Sequence, residues 1–328
     1  DGTPSVSWSP LDYVTLIHRD FGWKAEADEV TPGLDQLLAV LPSDFRLGRT
    51  LVLGAGTARL AWDLGVHLDP LAEILAVDTN PLPLLVTQRL LGGRETALYE
   101  LPGHPRRAED AAVRRTLVAP GPPPPNLQLL FADGLHPPAV PESFDTVVTP
   151  WFVDQVPPDL AVFLPELARV LRPGGAWLHT GPFVYDPAHT KPAHRYGADE
   201  LLELCGRAGF EVTRSDSARA SYLCSPASTQ GRQEWVLALH AVKKAAPQGS
   251  SEPAWLEPTW TAAIPPLVLK TGTKLPLPIL ERVLALIDGQ RTMQDIERAL
   301  LAEGALADDG TADAAVRGCL RVLAKASR

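Results

Sequence analysis

Two glycines and a carboxylate are the residues of this chain best spaced to do chemistry. Gly54 and Gly56 close the apolar run Leu51–Leu53, and Asp78 closes a second run from Glu73 to Val77. Glycines at a strand-to-helix turn let backbone approach a ligand closely. An acid at the tip of the next strand accepts hydrogen bonds from ribose hydroxyls. The separation between turn and acid is that of one strand–helix–strand unit, which predicts a nucleoside site at the edge of an open parallel sheet.

The fingerprint for a dinucleotide is incomplete. Its third glycine is missing: Ala58-Arg59 follow Gly56, and the next glycine is Gly65. Such a turn suits a ligand with an amino-acid tail better than a pyrophosphate, and S-adenosylmethionine is such a ligand. Two further acids stand at strand ends. Asp133 follows Leu129–Ala132, where it would read an adenine amino group. Asp154 follows Trp151-Phe152 after the run Phe144–Thr149, which puts aromatics and a carboxylate at a strand's C-terminal edge. Ligands bind there in such sheets.

These residues need a scaffold, and the hydrophobic pattern supplies one. Strands read at 50–54, 73–78, 127–132, 144–149 and 175–180, with helical patterns at 57–65, 80–92 and 159–171. The alternation predicts an α/β fold, a doubly wound Rossmann-like sheet. Arg172-Pro173-Gly174-Gly175 turns the third of these helices into the next strand. A helix at 198–208 and strands near 210–215 and 234–243 follow, the last two a candidate antiparallel edge hairpin, for seven strands in all. Two amphipathic patterns, Leu11–Phe21 and Thr31–Leu41, predict a helical cap over residues 1–45. Residues 93–126 break the rhythm with Arg94, Arg106, Arg107, Arg114, Arg115 and Pro122–Pro125. They read as a substrate-covering insertion or a linker. Residues 244–258 read as a linker. Residues 259–328 read as a small winged-helix-like domain: a short strand at Leu267–Lys270, then helices at 278–287, 292–301 and 312–326, with Thr292 a candidate N-cap.

Composition narrows the partners. The chain has 328 residues, 45% hydrophobic, with a net charge of −9. That charge argues against a nucleic-acid phosphate track. No apolar run approaches the ~20 residues of a membrane span, and no signal peptide opens the sequence, so a cytoplasmic protein is expected. Cys205, Cys224 and Cys319 are scattered with no C-x-x-C, so neither a disulfide framework nor a metal site is expected. The abundance of Ala, Leu, Arg and Pro suggests a GC-rich bacterial genome. His189 and His194 read as polar-loop residues.

The order of the glycine turn, the acid-tipped strands and Leu167–Gly175 (LARVLRPGG) resembles class I methyltransferases over roughly residues 45–243. A closer likeness is to the carnosine N-methyltransferase family (the N2227-type proteins). GAGTARLAW resembles that family's GAG-x-GRLAW. Val148–Asp154 resembles its VTCFFID, and Gly175–Tyr185 its GGIWINLGPLLY. Leu98-Tyr99, Arg106-Arg107, Asp110 and Arg114 resemble its insertion, and Arg19-Asp20-Phe21 its RDW. The resemblance implies an S-adenosylmethionine-dependent methyltransferase domain over 46–243, with 93–126 as its insertion. It implies that Arg19 and Arg59 hold the cofactor's carboxylate, Gly54 and Gly56 line the turn, Asp78 binds ribose and Asp133 lies near adenine. Asp154, Tyr185 and Tyr222 would then face the acceptor and carry the catalysis, with Trp151, Phe152, His179 and Asp186 bordering it.

Three positions depart from the family. Its histidine after the LGPLLY tyrosine is Asp186 here, its ribose Glu is Asp78, and its Asn in IWIN is His179. Three readings of the acceptor stay open. The first is N-methylation of an imidazole or related nitrogen in a small molecule or peptide. The second is O- or carboxyl-methylation in a natural-product pathway. The third is a peptide-recruiting role in a modification cluster. For the last, Leu286–Ile296 (LIDGQRTMQDI) resembles the LDG-x-RT-x-x-I run of PqqD-type winged peptide-binding domains, which implies a peptide or protein partner through 259–328.

Overall fold

A computed structural model describes residues 13–23, 27–156, 159–187, 190–244, 263–264, 267, 278–306 and 312–326. The chain divides into two compact units, 1–245 and 246–328. Most of the expected linker, most of the expected strand at 267–270, and His189 lie outside the described residues.

The first unit opens with α1 (Val14–Phe21) and α2 (Val30–Ala39). Then come β1 (Thr50–Leu53), α3 (Arg59–Leu68), β2 (Ile74–Asp78), α4 (Pro81–Leu91), β3 (Thr96–Glu100) and β4 (Val113–Leu117). The chain continues through β5 (Leu127–Phe131), β6 (Phe144–Pro150), α5 (Leu160–Val170), β7 (Leu171–Gly181), α6 (Ala198–Arg207), β8 (Phe210–Tyr222) and β9 (Arg232–Lys243). Seven strands form one sheet in the order β5-β2-β1-β6-β7-β9-β8. The first five run parallel, and β9 is antiparallel to both β7 and β8. This is the expected doubly wound sheet with its antiparallel edge hairpin.

Strand parity explains the two cores. Val52, Val148 and Leu178 point to one face and pack with Ile17, Leu37 and Trp62. Leu51, Leu53, Val147 and Trp177 point to the other and pack with Leu160, Phe163 and Leu167. With both faces covered, the central strands read as continuous apolar runs. Side-chain caps start the helices that follow: Asn80 accepts from the Leu82 N–H at 3.0 Å ahead of Pro81, and Asp159 accepts from the Ala161 N–H at 2.9 Å.

Two local features differ from expectation. The Arg172–Gly174 turn lies inside β7, which pairs with β6 from Leu171 through a register irregularity. Residues 93–126 hold an ordered antiparallel pair, β3 with β4, separate from the main sheet. The pair is closed by the buried ion pair of Arg115 with Glu100, whose other oxygen accepts from the Ser225 hydroxyl. It also reaches α1, because the Val118 N–H donates to the Phe21 carbonyl at 2.9 Å. The connection between its strands reaches the loop after β8, through Arg106 N–H to the Ala227 carbonyl at 3.0 Å. The insertion therefore braces the two segments that carry Arg19 and Tyr222.

In the second unit, α7 (Pro278–Leu286), α8 (Met293–Ala302) and α9 (Ala312–Ala326) enclose Leu280, Val283, Ile296, Leu300, Val316 and Leu320. Thr292 and Asp295 form a reciprocal capping box at the start of α8. Among the described residues, no helix is long and apolar enough to cross a membrane.

Candidate active site

The first unit contains a cavity of about 750 Å³ at the C-terminal ends of β1, β2 and β6. Its floor is the glycine turn. Gly54 and Gly56 have φ of +66° and +55°, in the left-handed region. A Cβ on Gly54 would lie 2.3 Å from the Phe152 ring. We expect Gly54→Ala to destabilise the fold by about 1–3 kcal/mol through overpacking and to displace Phe152 from the cavity wall. A melting curve matching that of the unchanged chain would show that the ring yields without cost.

Asp78 fixes this turn to the next strand. One carboxylate oxygen accepts from the Gly56 N–H at 2.7 Å and the other from the Asn80 N–H at 2.8 Å. Burial nevertheless raises its pKa. A carboxylate has about four acceptor sites, so capacity remains for further donors from the cavity.

Beside the turn is a compact charge cluster. The Arg59 Nε donates to Asp63 at 2.8 Å, and its Nη1 donates to the Asp20 carbonyl. The Arg19 Nε donates to the Asp20 carboxylate at 2.7 Å, and the Thr57 hydroxyl donates to that carboxylate's other oxygen. Asp63 has its pKa raised by burial. Both arginines reach the cavity wall and keep guanidinium N–H groups beyond these contacts.

The opposite end is aromatic and acidic. Trp151 has a φ of +49°, rare for a residue with a side chain. Its ring stacks on Tyr222 with centroids 4.2 Å apart and planes 16° from parallel. The Arg232 guanidinium lies 4.6 Å from the centre of the same tyrosine ring. Phe152 packs edge-on against Phe163 at 5.5 Å. Asp154, 5% exposed, sits in a short 3₁₀ turn directly after them. It accepts from the Val184 N–H at 3.1 Å and from Gln155 at 3.3 Å. Burial still pushes its pKa up to about 6. Asp133 stands exposed on the cavity wall, accepting from the Leu135 N–H at 2.9 Å.

Arg19, Gly54, Gly56, Arg59, Asp78, Asp133, Trp151, Phe152, Asp154 and Tyr222 thus line one cavity. His179, Tyr185 and Asp186 do not. His179 is fully buried, with Nδ1 at 2.9 Å from the Thr149 carbonyl. Burial pushes its pKa down to about 4, so it is a neutral core residue of β7, paired with Thr149 of β6. Tyr185 is half-buried. Burial raises its pKa, with the charge of Asp154 adding to the effect. Asp186 is exposed. Two residues that sequence reasoning passed over, Arg232 and Glu234, do line the cavity. The alternation Arg232-x-Glu234-x-Val236 was the available signal, since period two puts all three on one face.

A family model described as a methyltransferase domain matches residues 51–178, spanning the glycine turn, Asp78, Asp133 and Asp154. The chain carries an S-adenosylmethionine-dependent methyltransferase domain. The model for carnosine N-methyltransferase matches residues 121–245. A carnosine N-methyltransferase of Dictyostelium discoideum is 29% identical over 83 residues, 25% of this chain and 18% of that protein. The match therefore spans under a fifth of the curated relative's length. Among solved structures, a methyltransferase of Aquifex aeolicus is 12% identical, covers 72% of this chain and 99% of its own, and has a TM-score of 0.42. A possible histamine N-methyltransferase of Thermotoga maritima is 16% identical, covers 71% and 95%, and scores 0.41.

The residues of this methyltransferase domain fit the cofactor. The Gly56 turn gives backbone access to the cavity, Asp78 keeps acceptor capacity, and Arg19 and Arg59 on the cavity wall carry donors of the kind a carboxylate accepts.

Proposed function

We propose that this chain is an S-adenosylmethionine-dependent N-methyltransferase acting on an imidazole or related nitrogen of a small molecule or peptide. The observation that carries this reading is Asp154: a buried carboxylate, its pKa raised to about 6, beside the Trp151–Tyr222 stack on the cavity wall. The partial likeness to carnosine N-methyltransferases supports it.

The cofactor supplies an activated methyl group on a sulfonium. In this reading Asp78 accepts from the ribose and Asp133 lies at the adenine side. Arg19 and Arg59 hold the carboxylate tail through charge-assisted hydrogen bonds. Arg59→Ala should weaken cofactor binding more than Arg106→Ala, because Arg106 is exposed and held by the Ser228 carbonyl at 2.9 Å. Equal losses by calorimetry would mean that the insertion clamps the cofactor too.

At the acceptor end, an imidazole has a free pKa of about 6.5 and is largely neutral at pH 7. The attacking nitrogen must be the unprotonated one. Asp154 accepts the N–H of the other nitrogen, which fixes the tautomer and balances the charge of the forming imidazolium. Tyr222 and Trp151 give the ring an aromatic wall. The rest of the rate comes from positioning, since the sulfonium is already a good leaving group. Incubating the full chain with isotopically labelled cofactor and a panel of imidazole, carboxylate and phenol acceptors tests the reading by mass spectrometry. Label on carboxylates or phenols alone would transfer the assignment to O-methylation.

For residues 259–328 we propose recruitment of a peptide or protein. The PqqD-like run supports this by forming a tight turn: Asp288 accepts from the Gln290 and Arg291 N–H groups at 2.9 and 3.0 Å, directly before the capped α8. A chain ending at Lys244 should then bind the cofactor and methylate free imidazoles as the full chain does. Loss of cofactor binding on that truncation would make the unit part of the catalytic fold instead.

A further inference from the structure

Helix α2 is fastened across the β8–β9 edge of the sheet at two points. Before its first turn, the two oxygens of Glu29 accept from the Leu223 and Cys224 N–H groups at 2.9 and 2.6 Å. About two turns further on, the Gln36 amide donates to the Val236 carbonyl at 3.1 Å and the Asp216 carbonyl at 3.3 Å. These bonds set the spacing between helix and strands, so the space between them is held by the fold.

Between the two fastenings lies an apolar part of the cavity. Val30, Gly33 and Leu34 have the spacing of one helix face, and all three line the cavity. From the hairpin come Ala220 and Val236. Ala220 stands two residues before Tyr222 on β8, so it shares that ring's side of the sheet. The nearest charge in register, Glu234 opposite Ala220, gives one oxygen to the Arg232 Nε at 3.1 Å. Gly33 decides the width of the space. A Cβ built on it would meet no heavy atom within 4 Å, and its φ is outside the left-handed region. Neither close packing nor backbone conformation therefore calls for glycine here, and glycine inside a helix is less favourable than alanine. What the residue provides is room, and that room is continuous with the Trp151–Tyr222 wall.

We propose that Gly33 is a specificity-determining residue: it keeps open an apolar slot between α2 and the β8–β9 hairpin that takes a hydrocarbon arm of the methyl acceptor. The acceptor's reacting head rests on the imidazole reading above, and the slot concerns the rest of the molecule. The acceptor class becomes a nitrogen heterocycle bearing an apolar chain.

Binding of 4-methyl-, 4-propyl- and 4-pentylimidazole to the full chain saturated with S-adenosylhomocysteine tests this, with the matching 4-alkylphenols as a second series. We expect affinity to rise about threefold to fourfold for each methylene that enters the slot. Gly33→Leu, which fills the slot, should bring long and short chains to the same affinity, and Gly33→Ala should reduce the difference. Both variants should melt no lower than the unchanged protein, since the added side chain meets open space and favours the helix. Affinity that is flat in chain length in the unchanged protein overturns the proposal, and so does a rise that persists in Gly33→Leu. A lowered melting temperature in Gly33→Ala overturns it by showing the space to be filled. A Gly33→Leu loss of affinity for S-adenosylhomocysteine itself overturns it by giving the slot to the cofactor. The two readings fail separately. A Gly33-dependent rise along the phenol series with no imidazole methylated removes only the imidazole reading. Methylated imidazoles whose binding ignores chain length remove only the slot.

Discussion

Asp154→Asn is expected to lower kcat by about 10²–10³-fold while leaving cofactor affinity unchanged. Asn keeps a carbonyl that can accept the acceptor's N–H, but it has no charge to balance an imidazolium. The loss therefore falls on the chemical step. The same substitution should stabilise the fold, and the sign follows from the raised pKa. Burial pushes the Asp154 pKa up to about 6 in the folded protein, from an ordinary aspartate value of 3.8. Between those values the folded state binds the proton more tightly than the unfolded chain. The favourable state is the protonated one, and it is lost as pH rises through about 6. At neutral pH the ionised group costs up to about 3 kcal/mol. Asp154→Asn should therefore raise the melting temperature at pH 7.5 and change it little at pH 4. Normal turnover with the true acceptor would make Asp154 structural. A variant that is no more stable at pH 7.5 would mean that the group is better solvated than its burial implies.

Asp78→Ala is expected to weaken S-adenosylhomocysteine binding by about 10–150-fold, the loss of charged hydrogen bonds worth roughly 1.5–3 kcal/mol. Two effects add. The ribose would lose its acceptor, and the N–H groups of Gly56 and Asn80, held at 2.7 and 2.8 Å, would lose theirs. The glycine turn would then need fixing on binding. Asp78→Asn, which keeps one acceptor oxygen, should lose less. An unchanged dissociation constant in the alanine variant would take Asp78 out of the cofactor site.

The geometry of the glycine turn and Asp78 was legible in the sequence because its information is local. A glycine turn, an apolar strand and an acidic tip lie within one strand–helix–strand unit, and the backbone has few ways to arrange them. The aromatic and acidic end of the cavity was legible only in part. Asp154 and Trp151 follow β6 directly, but the positive φ of Trp151 that brings its ring against Tyr222 has no sequence signal in a non-glycine residue. His179 could have been placed in the core by parity. It stands two residues after Trp177, so it follows that side chain into the same buried layer. Strand parity also carried Arg232 and Glu234, unnoticed because a charged alternation at a sheet edge normally faces water. The β3–β4 pair was hidden for a different reason. TALYE and VRRTL are short and carry few apolar residues, and their pairing partner lies across a turn-rich connection with no periodicity of its own. Their stability comes from the buried Glu100–Arg115 pair and from contacts to α1 and the loop after β8, which no local pattern announces.

The central claim is that one cavity delivers a methyl group from S-adenosylmethionine to a ring nitrogen held by Asp154. The most direct measurement is carbon-13 NMR of the product formed by the full chain from methyl-labelled cofactor and an imidazole acceptor. A single labelled methyl carbon coupled to the adjacent ring protons is expected, absent with Asp154→Asn on the same timescale. A labelled methyl on oxygen, carboxylate or the side-chain amine, or one formed equally fast without the Asp154 carboxylate, would contradict it.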